Sequence, residues 1–234
     1  ASSVSASSNS AFIAWRDIRR SLYPSRAMAA PTCGVSVGAF HRIRDNRVTG
    51  SPDAAISRSP IELPSLTLVI GGARSGKSRF AESLVLRSGR ARVYIATAEA
   101  WDDEMRLRIR HHVQDRGPDW LTIEAPHDLP AALSRVTRDQ VVLLDCATLW
   151  LTNRMLAEAD LDVEAAALLA AIRTCPAPVV IVSNEVGWSI VPENALARAF
   201  RDAQGRLNQQ LAAEADLAVA VMAGLPLALK GQLP

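Results

Sequence analysis

LTLVIGGARSGKS, residues 66–78, carries Gly71, four intervening residues, Gly76, Lys77 and Ser78, and so satisfies GxxxxGK[ST] at every position. The residues before it, 66–70, alternate too little for a half-exposed strand and suit one buried on both faces. The residues after it, SRFAESLVLRS (78–88), read as a helix with Phe80, Leu84 and Val85 on one side. Strand, glycine loop and helix in that order make a phosphate-binding loop of a short pattern. The backbone N–H groups of Gly71, Gly72, Ala73, Arg74, Ser75 and Gly76 then curl towards phosphate oxygens. The helix N-terminus adds a partial positive charge. In this reading Lys77 reaches the β- and γ-phosphates and Ser78 holds Mg²⁺ through its hydroxyl. The competing reading is a glycine-rich turn before an ordinary helix. Composition argues against it, because the chain has only two lysines, Lys77 and Lys230, and uses arginine elsewhere. A compact ammonium is kept where one is wanted.

The totals exclude several classes. A chain of 234 residues with 49% hydrophobic content has ample core for one domain plus an extension. No apolar run approaches the roughly 18 residues of a membrane span. The net charge of +2 hides an asymmetry: residues 1–64 hold eight arginines against four acids, while residues 65–234 hold 18 basic and 20 acidic residues. The slightly acidic part argues against nucleic acid as a partner. Cys33, Cys146 and Cys175 form neither a disulfide framework nor a zinc pattern, which points to a reducing cytoplasm.

Residues 1–64 are rich in Ser, Arg, Pro and Ala and fall outside the strand and helix pattern. An Arg-rich, acid-poor start resembles an organelle transit segment. A disordered tail or translated upstream sequence is preferred, because nothing there carries chemistry, and the domain is expected to span residues 65–234. From residue 66 the chain alternates. Strands are expected at 91–97, 120–124, 141–145, 178–183, 216–222 and 226–229, with helices at 101–113, 129–136, 149–157, 163–173 and 193–213. The pattern implies an α/β fold with a mostly parallel sheet covered by helices on both faces. Ligands collect at the carboxyl ends of such strands.

Asp145 closes an apolar run and is placed to bind Mg²⁺ opposite Ser78, although an acid capping the next helix would read the same way. His111 and His112 end the 101–113 segment, where a surface histidine beside a helix C-terminus is also ordinary. Met105, Ile109 and His112 share a helical face, so His112 is preferred for an inward role and His111 is the reserve. A neutral imidazole can attack phosphorus to form a phosphoramidate. Asn184, Glu185 and Gly187 follow a buried-type strand, either to close over a substrate or simply to form a turn and cap. An Asn-Lys-x-Asp guanine motif is ruled out by where the two lysines lie.

With these residues in place the chain resembles the bifunctional adenosylcobinamide kinase/adenosylcobinamide-phosphate guanylyltransferase family of cobalamin biosynthesis. The matching segments are GGARSGKSRFAE (71–82), VYIATAEAWDDEMRLRIRHH (93–112), VVLLDCATLWLTN (141–153), VSNEVGWSIVPENALARAFRDAQGRLNQQLA (182–212) and GLPLALKG (224–231). The resemblance implies a RecA-like P-loop fold and a trimer. It implies phosphorylation of adenosylcobinamide with ATP or GTP, followed by GMP transfer from GTP to the resulting phosphate through a guanylylated histidine in the 111–112 pair. Nucleotide contacts are implied for the loop at 71–78, for Thr97, Ala98 and Glu99, for Val113, Gln114, Asp115 and Arg116, and for Glu124 and Asp145. Some relatives carry Glu where this chain has Asp145, and Trp188 and Ser189 match less closely. Two rivals remain open. A plain P-loop small-molecule kinase would form no covalent nucleotide adduct, and a non-catalytic nucleotide-binding partner would bind without turnover.

Overall fold

The computed structural model describes residues 60–99, 118–188 and 190–234. β1 (Leu66–Gly71) runs through the glycine loop into α1 (Lys77–Arg87) and then β2 (Ala91–Ala96). After these come β3 (Trp120–Glu124), α2 (Leu129–Leu133), β4 (Gln140–Asp145), α3 (Ala147–Leu156) and α4 (Leu161–Thr174). β5 (Val179–Asn184), α5 (Ala195–Glu214), β6 (Leu217–Met222) and β7 (Leu225–Lys230) complete the described chain. The expected helix over 129–136 stops at Leu133, and tighter turns follow: Arg135 N donates to Ala132 O at 3.3 Å and Val136 N to Leu133 O at 3.2 Å. The helix expected at 101–113 lies outside the described residues. No helix among the described residues is long and apolar enough to cross a membrane.

The strands form one sheet in the order β3-β2-β4-β5-β1-β6-β7. Every pairing is parallel except the last, where β7 returns antiparallel to β6. That reversal follows from a two-residue turn in which Ala223 and Gly224 both take positive φ, 51° and 80°. Two such residues in succession suit the twist of a tight hairpin. A mostly parallel sheet with a phosphate-loop strand well inside it and helices on both faces is the RecA-like arrangement that the resemblance implies.

Side chains alternate across the sheet, and the two cores follow. Val142 and Leu144 of β4 and Val179 and Ile181 of β5 pack with Trp150, Leu168, Phe200 and Leu207 from α3, α4 and α5. Val141, Leu143, Val180 and Val182 pack with Ala81, Leu84 and Val85 of α1. Two residues on from Leu143 and from Val182 stand Asp145 and Asn184. Both therefore end their strands on the α1 side. This parity decides what faces the glycine loop.

Packing extends upstream of Ser65. Leu63 is only 7% exposed and belongs to the core under α1, Ile61 packs against the same core, and Ile61 N donates to Arg87 O at 3.0 Å. A fragment beginning at Pro60 should therefore unfold cooperatively and be more stable than one beginning at Ser65. The expected difference is about 2 kcal/mol, roughly the transfer free energy of one buried leucine. Urea unfolding of the two fragments measures it, and coincident midpoints would show that Ile61 and Leu63 contribute nothing.

Candidate active site at the carboxyl edge of the sheet

The glycine loop closes only because side chains are missing at two points. A Cβ on Gly71 would lie 2.5 Å from both Ser75 Oγ and the Val221 carbonyl, and one on Gly76 would lie 3.1 Å from Gly224 Cα. Gly76 also takes φ +95°, which L side chains rarely adopt. Ser75 N donates to Gly72 O at 3.3 Å, and Gly224 N donates to Ser75 O at 2.8 Å. The β6–β7 turn thus braces the loop from behind. α2, α4 and α5 are capped at their starts by Asp128, Asp160 and Asn194, whereas α1, like α3, has neither a side-chain cap nor an acid in its first turn. Its leading N–H groups are left for an anion. Lys77 Nζ donates to Gly72 O at 3.2 Å. Burial lowers the ammonium's pKa, and the nearby Asp145 carboxylate partly offsets this. Ser75 Oγ is buried without a hydrogen-bond partner among the described residues.

Strand register brings the acids to the same edge. Ala96 pairs with Glu124 on one side and Asp145 on the other, Asp145 pairs with Val182, and Gly71 pairs with Asn184. Beyond β2, Thr97 Oγ1 donates to Cys146 O and accepts from Cys146 N, both at 2.8 Å. Asn153 Nδ2 reaches Thr97 O at 2.9 Å and Pro126 O at 3.0 Å. The loops after β2, β3 and β4 are therefore tied to one another. Glu99 Oε1 lies 2.8 Å from His127 Nε2, and Glu99 Oε2 is buried without a partner among the described residues. Trp150 Nε1 donates to His127 O at 2.9 Å and holds that loop from below.

The structure gathers the loop at 71–78, Thr97, Ala98, Glu99, Glu124 and Asp145 along one edge. His111, His112, Val113, Gln114, Asp115 and Arg116 lie outside the described residues. Glu185 N donates to Gly71 O at 3.1 Å, and Gly187 N to Glu185 Oε1 at 2.8 Å, so this segment forms a local turn against the glycine loop. Trp188 is 80% and Ile190 93% exposed just beyond it. Sequence reading missed Gly224, His127, Thr148 and Asn153, which act by holding loops distant in sequence. It also missed Ser183, Gln204 and Asn208. These carry a legible signal, since each is polar within an apolar strand or on the apolar face of a helix.

The family described as "Cobinamide kinase / cobinamide phosphate guanyltransferase" matches residues 67–229. The chain belongs to that family. It is similar to the bifunctional adenosylcobalamin biosynthesis protein CobU of Escherichia coli strain K12, 43% identical over 181 residues, covering 70% of this chain and 99% of that protein. It is also similar to CobP of Pseudomonas aeruginosa, with the same description, at 45% over 168 residues, covering 70% of this chain and 97% of that protein. Among solved structures, that of the RadB recombinase is 18% identical with a TM-score of 0.39, covering 68% of this chain and 74% of that one. A likeness that distant carries no argument about activity.

Two outcomes follow from the site. Lys77→Ala should leave the melting temperature nearly unchanged but cut kinase turnover by about 10²–10³-fold, the cost of removing one charge donor from a transferring group. Near-normal turnover would sink the role of Lys77. Cys146 is fully buried, and desolvation, with Asp145 adding to it, pushes its thiol up to about 12 from 9.0. The unfolded thiol ionises first, so this residue's contribution is intact below pH 9 and is lost as pH rises towards 12. Between about pH 8 and about pH 10, Cys146→Ala should therefore lose about 1 kcal/mol less stability than the unaltered chain, read from urea midpoints. Parallel pH slopes would contradict it.

Proposed function

We propose that the chain phosphorylates the hydroxyl on the aminopropanol arm of adenosylcobinamide with ATP or GTP. It then moves GMP from GTP onto that phosphate, giving adenosylcobinamide-GDP and pyrophosphate. The observation that carries this reading is the unbroken GxxxxGKS loop, folded as an anion cradle on the sheet edge that also bears Asp145, in a chain of this family. The loop N–H groups and Lys77 hold the β- and γ-phosphates and stabilise charge on the transferring phosphoryl group. Thr97, Ala98, Glu99, Glu124 and the segment Val113, Gln114, Asp115 and Arg116 supply the remaining nucleotide contacts.

Mg²⁺ fits the residues present. The described residues contain no group of three or more His, Cys, Asp or Glu side chains suited to a metal. The Ser78 hydroxyl and the Asp145 carboxylate instead supply the one or two protein oxygens that Mg²⁺ takes alongside phosphates and water. When bound, the ion neutralises charge on the phosphates.

In the second reaction His112 is the nucleophile. Its imidazole nitrogen bonds to the α-phosphorus of GTP, and the bond to the bridging oxygen breaks with its electron pair leaving on pyrophosphate. The phosphate of adenosylcobinamide phosphate then displaces the imidazole. A homo-oligomer, a trimer by family resemblance, and a cytoplasmic location complete the reading. The exposed apolar residues Leu225, Leu227 and Leu229 of β7 are consistent with a covered edge.

GTP labelled at the α-phosphate tests the covalent step. The intact protein should take up label that survives alkali and is lost in acid, releasing an equal amount of pyrophosphate. His112→Asn should abolish both labelling and GMP transfer while phosphorylation of adenosylcobinamide persists. Labelling lost in His111→Asn instead would move the nucleophile to the reserve histidine. An intact protein that never labels would leave a plain kinase as the better account.

A further inference from the structure

Among the described residues several side-chain oxygens are buried without a partner, and the one on Asn184, at a strand end beside the glycine loop, is used by no step above. Asn184 is 5% exposed, and its Oδ1 has no hydrogen-bond partner among the described residues. Buried polar atoms nearly always find partners, so an orphan at a strand end facing a site is informative. The residue is held firmly. Asn184 N donates to Thr148 Oγ1 at 2.8 Å, and Asn184 O accepts from Asn208 Nδ2 at 3.1 Å. Asn208 Oδ1 in turn accepts from Ser183 Oγ at 2.6 Å and from Gln204 Nε2 at 2.9 Å. Ser183 points to α5, so its neighbour Asn184 points to the opposite side, where α1 and the glycine loop lie.

Register places it further. β5 runs between β4 and β1, with Asn184 opposite Gly71 and Val182 opposite Asp145. Asn184 therefore ends the strand that lies between the one leading into the glycine loop and Lys77 and the one ending in Asp145. We propose that Asn184 Oδ1 accepts a hydrogen bond from the alcohol that attacks the γ-phosphorus and so orients it for transfer. The inference rests on the kinase half of the proposed function. An amide oxygen suits the task because it accepts a hydrogen bond without adding negative charge beside a phosphate. It is too weakly basic to take the proton. The alcohol oxygen bonds to the γ-phosphorus, and the bond to the bridging oxygen breaks with its electron pair on the nucleoside diphosphate. The alcohol's proton passes through the phosphate oxygens to solvent.

The test uses the full chain and its Asn184→Ala variant, with thermal melting as a check on folding. The variant's kcat for phosphorylation of adenosylcobinamide should fall about 10²-fold, the scale of a lost orienting contact. Its affinity for a non-hydrolysable ATP analogue with Mg²⁺ should change by less than about threefold. Labelling by α-labelled GTP should persist, because that step does not use the alcohol. If Asn184→Ala does not fold, Asn184→Ser, whose hydroxyl falls short of the amide oxygen's position, should show the same split. Turnover within about threefold of the intact chain would overturn the inference. So would a loss of nucleotide affinity as large as the loss of turnover, since the donor would then be Lys77 or metal-bound water. An intact chain that binds the ATP analogue yet phosphorylates no adenosylcobinamide would overturn the functional reading, and this inference with it.

Discussion

The site depends on one close approach of backbone to backbone. Gly71 passes the Val221 carbonyl at a distance that leaves no room for a Cβ, and Gly76 passes Gly224 Cα tightly at a positive φ that side chains rarely adopt. Gly224 N closes the arrangement by donating to Ser75 O. The glycine loop is thus clamped between its own strand and the turn joining β6 to β7. Loops with free N–H groups bind anions well only if they are already folded when the anion arrives, because ordering them on binding would consume much of the gain. Here the antiparallel β7, the one exception to a parallel sheet, brings the bracing turn to the loop.

A second layer of order comes from buried polar side chains at the strand ends. Thr97 ties β2 to the peptide after β4, Asn153 ties β2 to the loop after β3, and Thr148 ties β4's following helix to the end of β5. Each is a side chain bonding to backbone at the last residue of a strand or just past it, where the ladder partners run out. The edge where phosphates are handled is therefore built from strand ends fixed by hydrogen bonds. Rigid placement of that kind is what phosphoryl transfer requires, since its catalysis is mostly positioning and electrostatics.

Asp145 and Lys77 show how the parts act together. Burial lowers the pKa of the ammonium, and the nearby carboxylate works against that loss. Bound phosphates would add further negative charge in the same direction. Cys146, adjacent to the acid, behaves differently. Its thiol stays protonated and inert because it is sealed in the core.

Much of this was legible in the chain. The GxxxxGKS pattern, the apolar runs ending in Asp145 and before Asn184, and the β/α alternation are all local or periodic features. Burial on both faces of a parallel sheet demands such runs, and a phosphate loop demands glycine at fixed positions, so composition and spacing report them directly. The reversal of β7 was less visible, since only Ala223 and Gly224 encode it and alanine gives no sign of a positive φ. The order of strands, the bracing of Ser75 by Gly224, the Glu99–His127 pair and the aim of Asn184 were decided by tertiary structure alone. These depend on which strand lies beside which, and hydrogen bonds between residues far apart in sequence leave no period to read.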